Sequence, residues 1–138
     1  RPPRSTLFPY TTLFRSILVI AMSSTAFSQA EPLEGPLVHT VLFWLNEPDN
    51  VSDRADFEKA IKELMATNPQ AIKSHLGRPS STEQRDVVDN SYTYLYMMTF
   101  ANAQDEAAYQ VDATHLKFVE SANHLWKKVV VYDSSAID

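Results

Sequence analysis

The chain has no cysteine and only two glycines in 138 residues. Without cysteine there are no disulfides, no thiolate metal sites, no cysteine nucleophile and no lipid anchor on cysteine. The glycines, Gly35 and Gly77, stand far apart. Neither a Walker-type phosphate loop nor a dinucleotide fingerprint can be built from them. Both need clustered glycines so that backbone N–H groups can approach phosphate. Positive charge is also scarce: 12 Lys and Arg face 17 Asp and Glu, a net charge of −5. A nucleic-acid binder needs a basic face to displace counterions, so that class of partner is set aside. The strongest apolar run, Ile17 to Met22, is far shorter than the roughly 20 residues that span a bilayer, so no stable membrane insertion is expected. Apolar side chains, by contrast, are plentiful. They make up 44% of the residues, enough for one packed core in a chain of this length.

Charge is unevenly spread. Residues 1–30 carry three arginines (Arg1, Arg4 and Arg15) and no acid, while residues 31–138 carry nine basic and all seventeen acidic side chains, a balance of −8. Such a break marks a boundary. Residues 1–16 begin with arginine, repeat Thr-Leu-Phe at positions 6–8 and 12–14, and show neither helical nor strand periodicity. They read as an adapter- or vector-derived segment. Residues 17–30 read as a truncated signal peptide, with Ser28 and Ala30 as the small residues of a cleavage site. The expected product is exported, periplasmic or extracellular. Residues 31–36 then form a short linker.

The remainder alternates strands and helices. Leu37–Leu45 is a strand apolar on both faces. Leu37, His39, Val41, Phe43 and Leu45 point one way, and Val38, Thr40, Leu42 and Trp44 the other. Ser52 or Asp53 is expected to cap a helix, with Val51 as a hydrophobic staple. That helix carries Phe57, Ala60, Ile61, Leu64 and Met65 as its apolar stripe and stops at Asn68-Pro69. Residues 71–79 form a second strand with Ile72, Ser74 and Leu76 on one face. Residues 80–91 are a polar loop. Tyr92–Phe100 is the strongest strand, with Tyr92, Tyr94, Tyr96, Met98 and Phe100 on one face. Asn102 caps a helix running to about Val111. Asp112 or Thr114 starts another, with Leu116, Val119 and either Ala122 or Asn123 inward. Residues 127–132 are the last strand. The order β-α-β-β-α-β, with a broken second helix, predicts an α+β ferredoxin-like sandwich with an antiparallel sheet. One sheet face lacks helices, and an exposed apolar face of that size calls for a partner. A homodimer whose two sheets form a dimeric α/β barrel is the expected solution.

Chemistry-bearing residues are few. His39 lies inside an apolar strand, where a histidine can equally be a satisfied core residue. His115 stands near a helix start, and the positive end of the helix dipole favours the neutral imidazole, the form able to accept a proton. Asp112 either caps that helix or orients His115. Tyr109 carries a phenol that a buried site must satisfy. His75 reads as exposed and His124 as helix-end packing or surface. No histidine pair has i,i+4 spacing, and His115, Glu120 and His124 do not share a helix face, so no metal is expected. No serine sits in a GxSxG elbow.

The segments VHTVLFWL, YTYLYMMTF, AAYQVDATHLKFVE and WKKVVVYD, in that order, resemble the stress-responsive A/B barrel domain family, often called Dabb. The resemblance covers about residues 37–134, and its most specific parts are the His39 strand, the Tyr-x5-His run from Tyr109 to His115, and the strand ending in Asp133. It implies a ferredoxin-like dimer. Many members have no known activity. Plant polyketide cyclases of the family close a poly-β-keto chain by aldol condensation. The resemblance implies acid–base roles for Tyr109 and His115 and a pocket position for His39. The chain departs from those cyclases in having Tyr94 in place of a further pocket histidine on the third strand, and Asp112 in place of one after the tyrosine. The candidate set is then His115, Tyr109 and His39 for proton transfer, with Tyr94, Asp112 and Phe118 lining a pocket for a small apolar or aromatic ligand and no cofactor. Three classes of function follow: a small-molecule pocket protein with or without cyclase-like acid–base catalysis, a non-catalytic dimeric stress-related binding module, and a haem- or oxygen-handling enzyme with His39 or His115 as axial ligand.

Overall fold

The computed structural model describes residues 30–137. The segments read as adapter-derived and as signal peptide therefore lie outside the described residues, apart from Ala30. The described elements run β1 (Leu37–Leu45), α1 (Val51–Thr67), β2 (Lys73–Gly77), β3 (Tyr94–Phe100), α2 (Ala103–Gln110), α3 (Ala113–Ala122), a single 3₁₀ turn (Asn123–Leu125) and β4 (Trp126–Ser135). The four strands form one antiparallel sheet in the order β2-β3-β1-β4. This is the ferredoxin-like α+β architecture that the element order predicts. No helix among the described residues is long and apolar enough to cross a membrane.

Strand alternation sets the core. Val41, Phe43 and Leu45 of β1 and Tyr94, Tyr96, Met98 and Phe100 of β3 are buried on the helix side of the sheet. They meet Phe57, Ile61 and Leu64 of α1, which recur at i, i+4 and i+7 and so share one helix face. On the opposite sheet face Val38, Thr40, Leu42, Trp44, Leu95, Met97 and Val130 are only half-buried, because no element among the described residues covers them.

Several local details differ from the sequence reading. The cap of α1 is Asn50, whose side-chain oxygen accepts from the backbone N–H of Ser52 at 2.9 Å and of Asp53 at 3.2 Å. Val51 is the first helical residue and is exposed, so there is no staple. β2 is shorter than residues 71–79, with Ser74 exposed. β3 starts at Tyr94, because Thr93 is taken up at the corner: its N–H donates to the Phe43 carbonyl and its hydroxyl accepts from Leu45 N–H. β4 runs on to Ser135, since the ladder with β1 holds Asp133, Ser134 and Ser135 despite their weak strand propensity. In α3 the buried pair is Phe118 and Ala122, while Leu116 is exposed and Val119 half-buried. Asn68 ends α1 with an extended backbone ahead of Pro69, as predicted. Asn102 and Asp112 cap α2 and α3.

Candidate functional site

His39 is the third residue of β1, on the face that turns into the helix layer, and it is 4% exposed. Antiparallel register sets it directly opposite Asp133 of β4. Its Nδ1–H donates to Asp133 Oδ1 at 2.6 Å. An ionised carboxylate only accepts, so Nδ1 holds the proton, and in the neutral ring Nε2 keeps its lone pair. Glu106, in the first turn of α2, brings Oε1 to 3.8 Å from the same Nδ1 and takes its own hydrogen bond from Gln110 Nε2 at 2.6 Å. One imidazole nitrogen and two carboxylate oxygens thus lie within 4.8 Å of one another. Because Nδ1 carries the proton given to Asp133, the cluster as it stands is an imidazole held by a carboxylate, with Glu106 close by. Spacing along the chain could not reveal this group, because it is drawn from β1, α2 and β4.

Tyr109, in the last turn of α2, is 2% exposed. Its ring centroid lies 6.0 Å from that of His39, 5.5 Å from Phe100 and 4.4 Å from His115. Burial pushes its pKa well above the ordinary tyrosine value, and nearby Tyr96 and Glu106 push the same way. The phenol is therefore a neutral O–H donor at any physiological pH. His115 follows after the break between α2 and α3. Its Nδ1–H donates to the Gln110 carbonyl at 3.1 Å. A carbonyl oxygen only accepts, so here too the neutral ring leaves the Nε2 lone pair free. The break itself is held by Asp112, which accepts from Thr114 N–H at 2.8 Å, from the Thr114 hydroxyl at 2.6 Å and from Gln70 Nε2 at 3.3 Å. The two bonds from Thr114, followed by that from Gln70, hold its carboxyl below the ordinary aspartate value.

These groups face a cleft of about 120 Å³ between sheet and helices, lined among others by His39, Tyr96, Tyr109, His115, Phe118 and Trp126. The structure thus brings His39, Tyr109, His115 and Phe118 together. It does not bring Tyr94 or Asp112 to this cleft. Tyr94 stacks on Phe57 with centroids 4.7 Å apart, and its hydroxyl donates to Glu58 Oε1 at 2.7 Å on the far side of the core. Asp112 serves as helix cap and makes no hydrogen bond to His115 among the described residues, the two interacting only through charge. The pocket tyrosine of β3 is Tyr96, two residues along the same strand face. Its hydroxyl is buried with no hydrogen-bond partner among the described residues, and burial pushes its pKa up to about 12, the Asn68 side chain opposing. Asn68 Nδ2 itself points to Met98 Sδ at 3.8 Å. Glu106, Asp133 and Tyr96 were not among the sequence candidates. Asp133 was the most accessible of the three, since pairing the first and last strands sets it against His39. His75 and His124 are exposed and away from the cleft.

The family model for the stress responsive A/B barrel domain matches residues 37–136, more than two thirds of the chain. The chain belongs to the Dabb family. Solved structures agree on the fold. A Dabb family protein with a ferredoxin-like fold from Mesorhizobium loti is 19% identical with a TM-score of 0.62, covering 76% of this chain and 100% of its own. A dimeric ferredoxin-like protein of unknown function from Thermobifida fusca is 15% identical with a TM-score of 0.60, covering 78% and 100%. A hydroxynitrile lyase from Passiflora edulis is 16% identical with a TM-score of 0.62, covering 75% and 95%. At such identities the likeness is one of fold. No curated protein matches the chain. The Dabb domain here accounts for every described secondary-structure element.

Proposed function

We propose that the cleft binds a small, mainly apolar molecule with one carbonyl or hydroxyl group, and that Tyr109, His115 and His39 move protons on it. The observation that carries this reading is Tyr109, a phenol held in its neutral form between two imidazoles. A neutral phenol donates to a substrate oxygen as negative charge develops there. An imidazole Nε2 with a free lone pair accepts the proton lost from the substrate. The Asp133 bond holds His39 in one tautomer and orientation, as a base-orienting carboxylate does. Phe118, Val41 and Trp126 supply the apolar wall. A cleft of about 120 Å³ suits a small carbonyl compound better than a long polyketide chain.

The test has two parts. Native mass spectrometry of the full chain after incubation with a metabolite pool reports a retained ligand and the oligomer mass together. Proton exchange α to the carbonyl of a ketone panel in D₂O, followed by NMR, reports catalysis. Wild type is expected to accelerate exchange, with His115→Gln and Tyr109→Phe slower by roughly 10²-fold or more. A protein that neither retains a ligand nor accelerates exchange overturns the reading. Retention without exchange returns the non-catalytic binding module.

The half-buried open sheet face supports a homodimer, two sheets packed face to face as a barrel, and the Thermobifida fusca relative is described as dimeric. The apolar segment of residues 17–30 supports export. A fusion of residues 17–36, given a basic start, to a phosphatase active only outside the cytoplasm tests it: an inactive fusion overturns export.

A further inference from the structure

A second cavity, of about 430 Å³, lies off the opposite end of the sheet from the His39–Asp133 pair, where β1 and β2 end and β3, β4 and α1 begin. Its walls include Arg54, Arg78, Lys127, Trp44, Tyr92 and Pro48. Three cations around one cavity are unusual in a chain with a net charge of −5.

The partly buried acid beside this cavity, Glu58, is already engaged. Glu58 Oε1 accepts from the Tyr94 hydroxyl and from Arg78 Nη2, each at 2.7 Å, and Oε2 accepts from Lys62 at 3.3 Å. Three donors share Glu58, and Arg54 is not among them. Arg54 Nε is buried without a hydrogen-bond partner, and Arg54 makes no ion pair among the described residues, its guanidinium acting only on the Tyr94 hydroxyl. Lys127 makes none either. Arg78 spends one of its five donors on Glu58, and its guanidinium carbon sits 5.6 Å over the Tyr94 ring. With Asp49 on the rim and Glu58 behind Arg78, three cations face two acids, so the cavity carries one uncompensated positive charge. An arginine fork with unpaired donors takes a planar, two-oxygen acceptor. One surplus charge matches a monoanion rather than a doubly charged phosphate. Tyr92 and Pro48, with Trp44, whose ring also carries Lys128 Nζ 4.2 Å from its centroid on the open sheet face, line the rest of the cavity. The volume falls within the ordinary range for small-molecule pockets.

We propose that this cavity is a second binding site, taking an aromatic monocarboxylate through Arg54, with Arg78 and Lys127 completing its positive rim. The site is independent of the proton-transfer cleft.

The chain has two tryptophans, and each lines a different cavity: Trp44 here and Trp126 in the other cleft. Titrating benzoate into the full-length Trp126→Phe variant reads Trp44 fluorescence alone, and the Trp44→Phe variant reads Trp126 alone. A saturable Trp44 response is expected, roughly tenfold or more weaker in Arg54→Gln and intermediate in Arg54→Lys. Inorganic phosphate at the same concentration is expected to compete poorly. Circular dichroism checks that both Arg54 variants fold, and if Arg54→Gln does not, Arg54→Lys carries the comparison. No Trp44 response, equal affinity in the Arg54 variants, or phosphate binding as tightly as benzoate overturns the proposal. A response at Trp126 alone also overturns it and assigns the carboxylate to the other cleft, so the two readings fail separately.

Discussion

Replacing Tyr96 by phenylalanine should stabilise the domain. The side chain is 1% exposed, and its hydroxyl is buried with no partner among the described residues. On protein mutational scales, a hydroxyl taken from water without a new hydrogen bond costs about 1–3 kcal/mol. Phenylalanine keeps the ring and its packing and removes that cost. The Asn68 side chain lies close enough to offset part of it, so the low end of the range, about 1 kcal/mol, is the appropriate figure. For a domain near 100 residues that corresponds to a rise in Tm of roughly 4 °C. Urea and thermal unfolding of wild type and Tyr96→Phe at neutral pH measure it. A loss of about 1 kcal/mol or more refutes the reasoning, since it means the hydroxyl makes a bond that the geometry lacks. The same substitution should weaken retention of whatever ligand native mass spectrometry finds in the cleft. A polar atom that costs stability and lines a cleft is most simply explained by a bond it makes to a bound molecule. Gained stability with unchanged retention would remove Tyr96 from the site.

Glu58 has its carboxyl held below the ordinary glutamate value of 4.5, first by the Tyr94 hydroxyl and further by Lys62 and Arg78, against the desolvation that raises it. Its ionised form therefore stabilises the fold fully above that ordinary value, and the contribution is lost as pH falls through the lowered folded value. Glu58→Gln should cost about 1.5 kcal/mol at pH 7, the low end for a charged hydrogen bond because the side chain is 22% exposed. The gap from wild type should close on acidification, and a pH-independent gap in denaturant titrations contradicts the assignment. Gly35 has φ +95°, and a Cβ there would come within 2.9 Å of Thr99 Oγ1 and 3.0 Å of the Phe100 carbonyl oxygen. Gly35→Ala should destabilise by about 1–3 kcal/mol in equilibrium unfolding, and an unchanged midpoint rules that out. Leu95 faces Leu42 across the β1–β3 ladder on the open sheet face. Leu95→Glu should weaken the proposed dimer by about 3 kcal/mol, roughly 10²-fold in Kd, through an unpaired charge in the interface. Light scattering over a concentration series decides, and an unaltered monomer–dimer midpoint places the interface elsewhere.

What the residues determine by themselves is local and periodic. Alternation assigns both faces of β1 and β3, so the core face and the face left open were legible without coordinates. Proline after Asn68 and the side-chain oxygens of Asn102 and Asp112 mark helix ends because they act on their own neighbours. The Tyr109-to-His115 run was legible for the same reason, since both partners flank one short break. Small misplacements had local causes too. Asn50 outcompetes Ser52 and Asp53 as cap because one side-chain oxygen reaches both of their N–H groups. Only tertiary structure decided the rest. A period of two assigns a residue to a face and says nothing of its depth along it, so Tyr94 was read as the pocket residue where Tyr96 stands. Asp133 reaches His39 across 94 residues of sequence, through the β1–β4 register, and Glu106 arrives by the packing of α2. Arg54 forms no ion pair with Glu58, one helical turn on, while Tyr94 and Arg78, from distant segments, and Lys62 bond to it. Competition for one carboxylate is settled in space, where residues distant along the chain meet, and no local pattern records it.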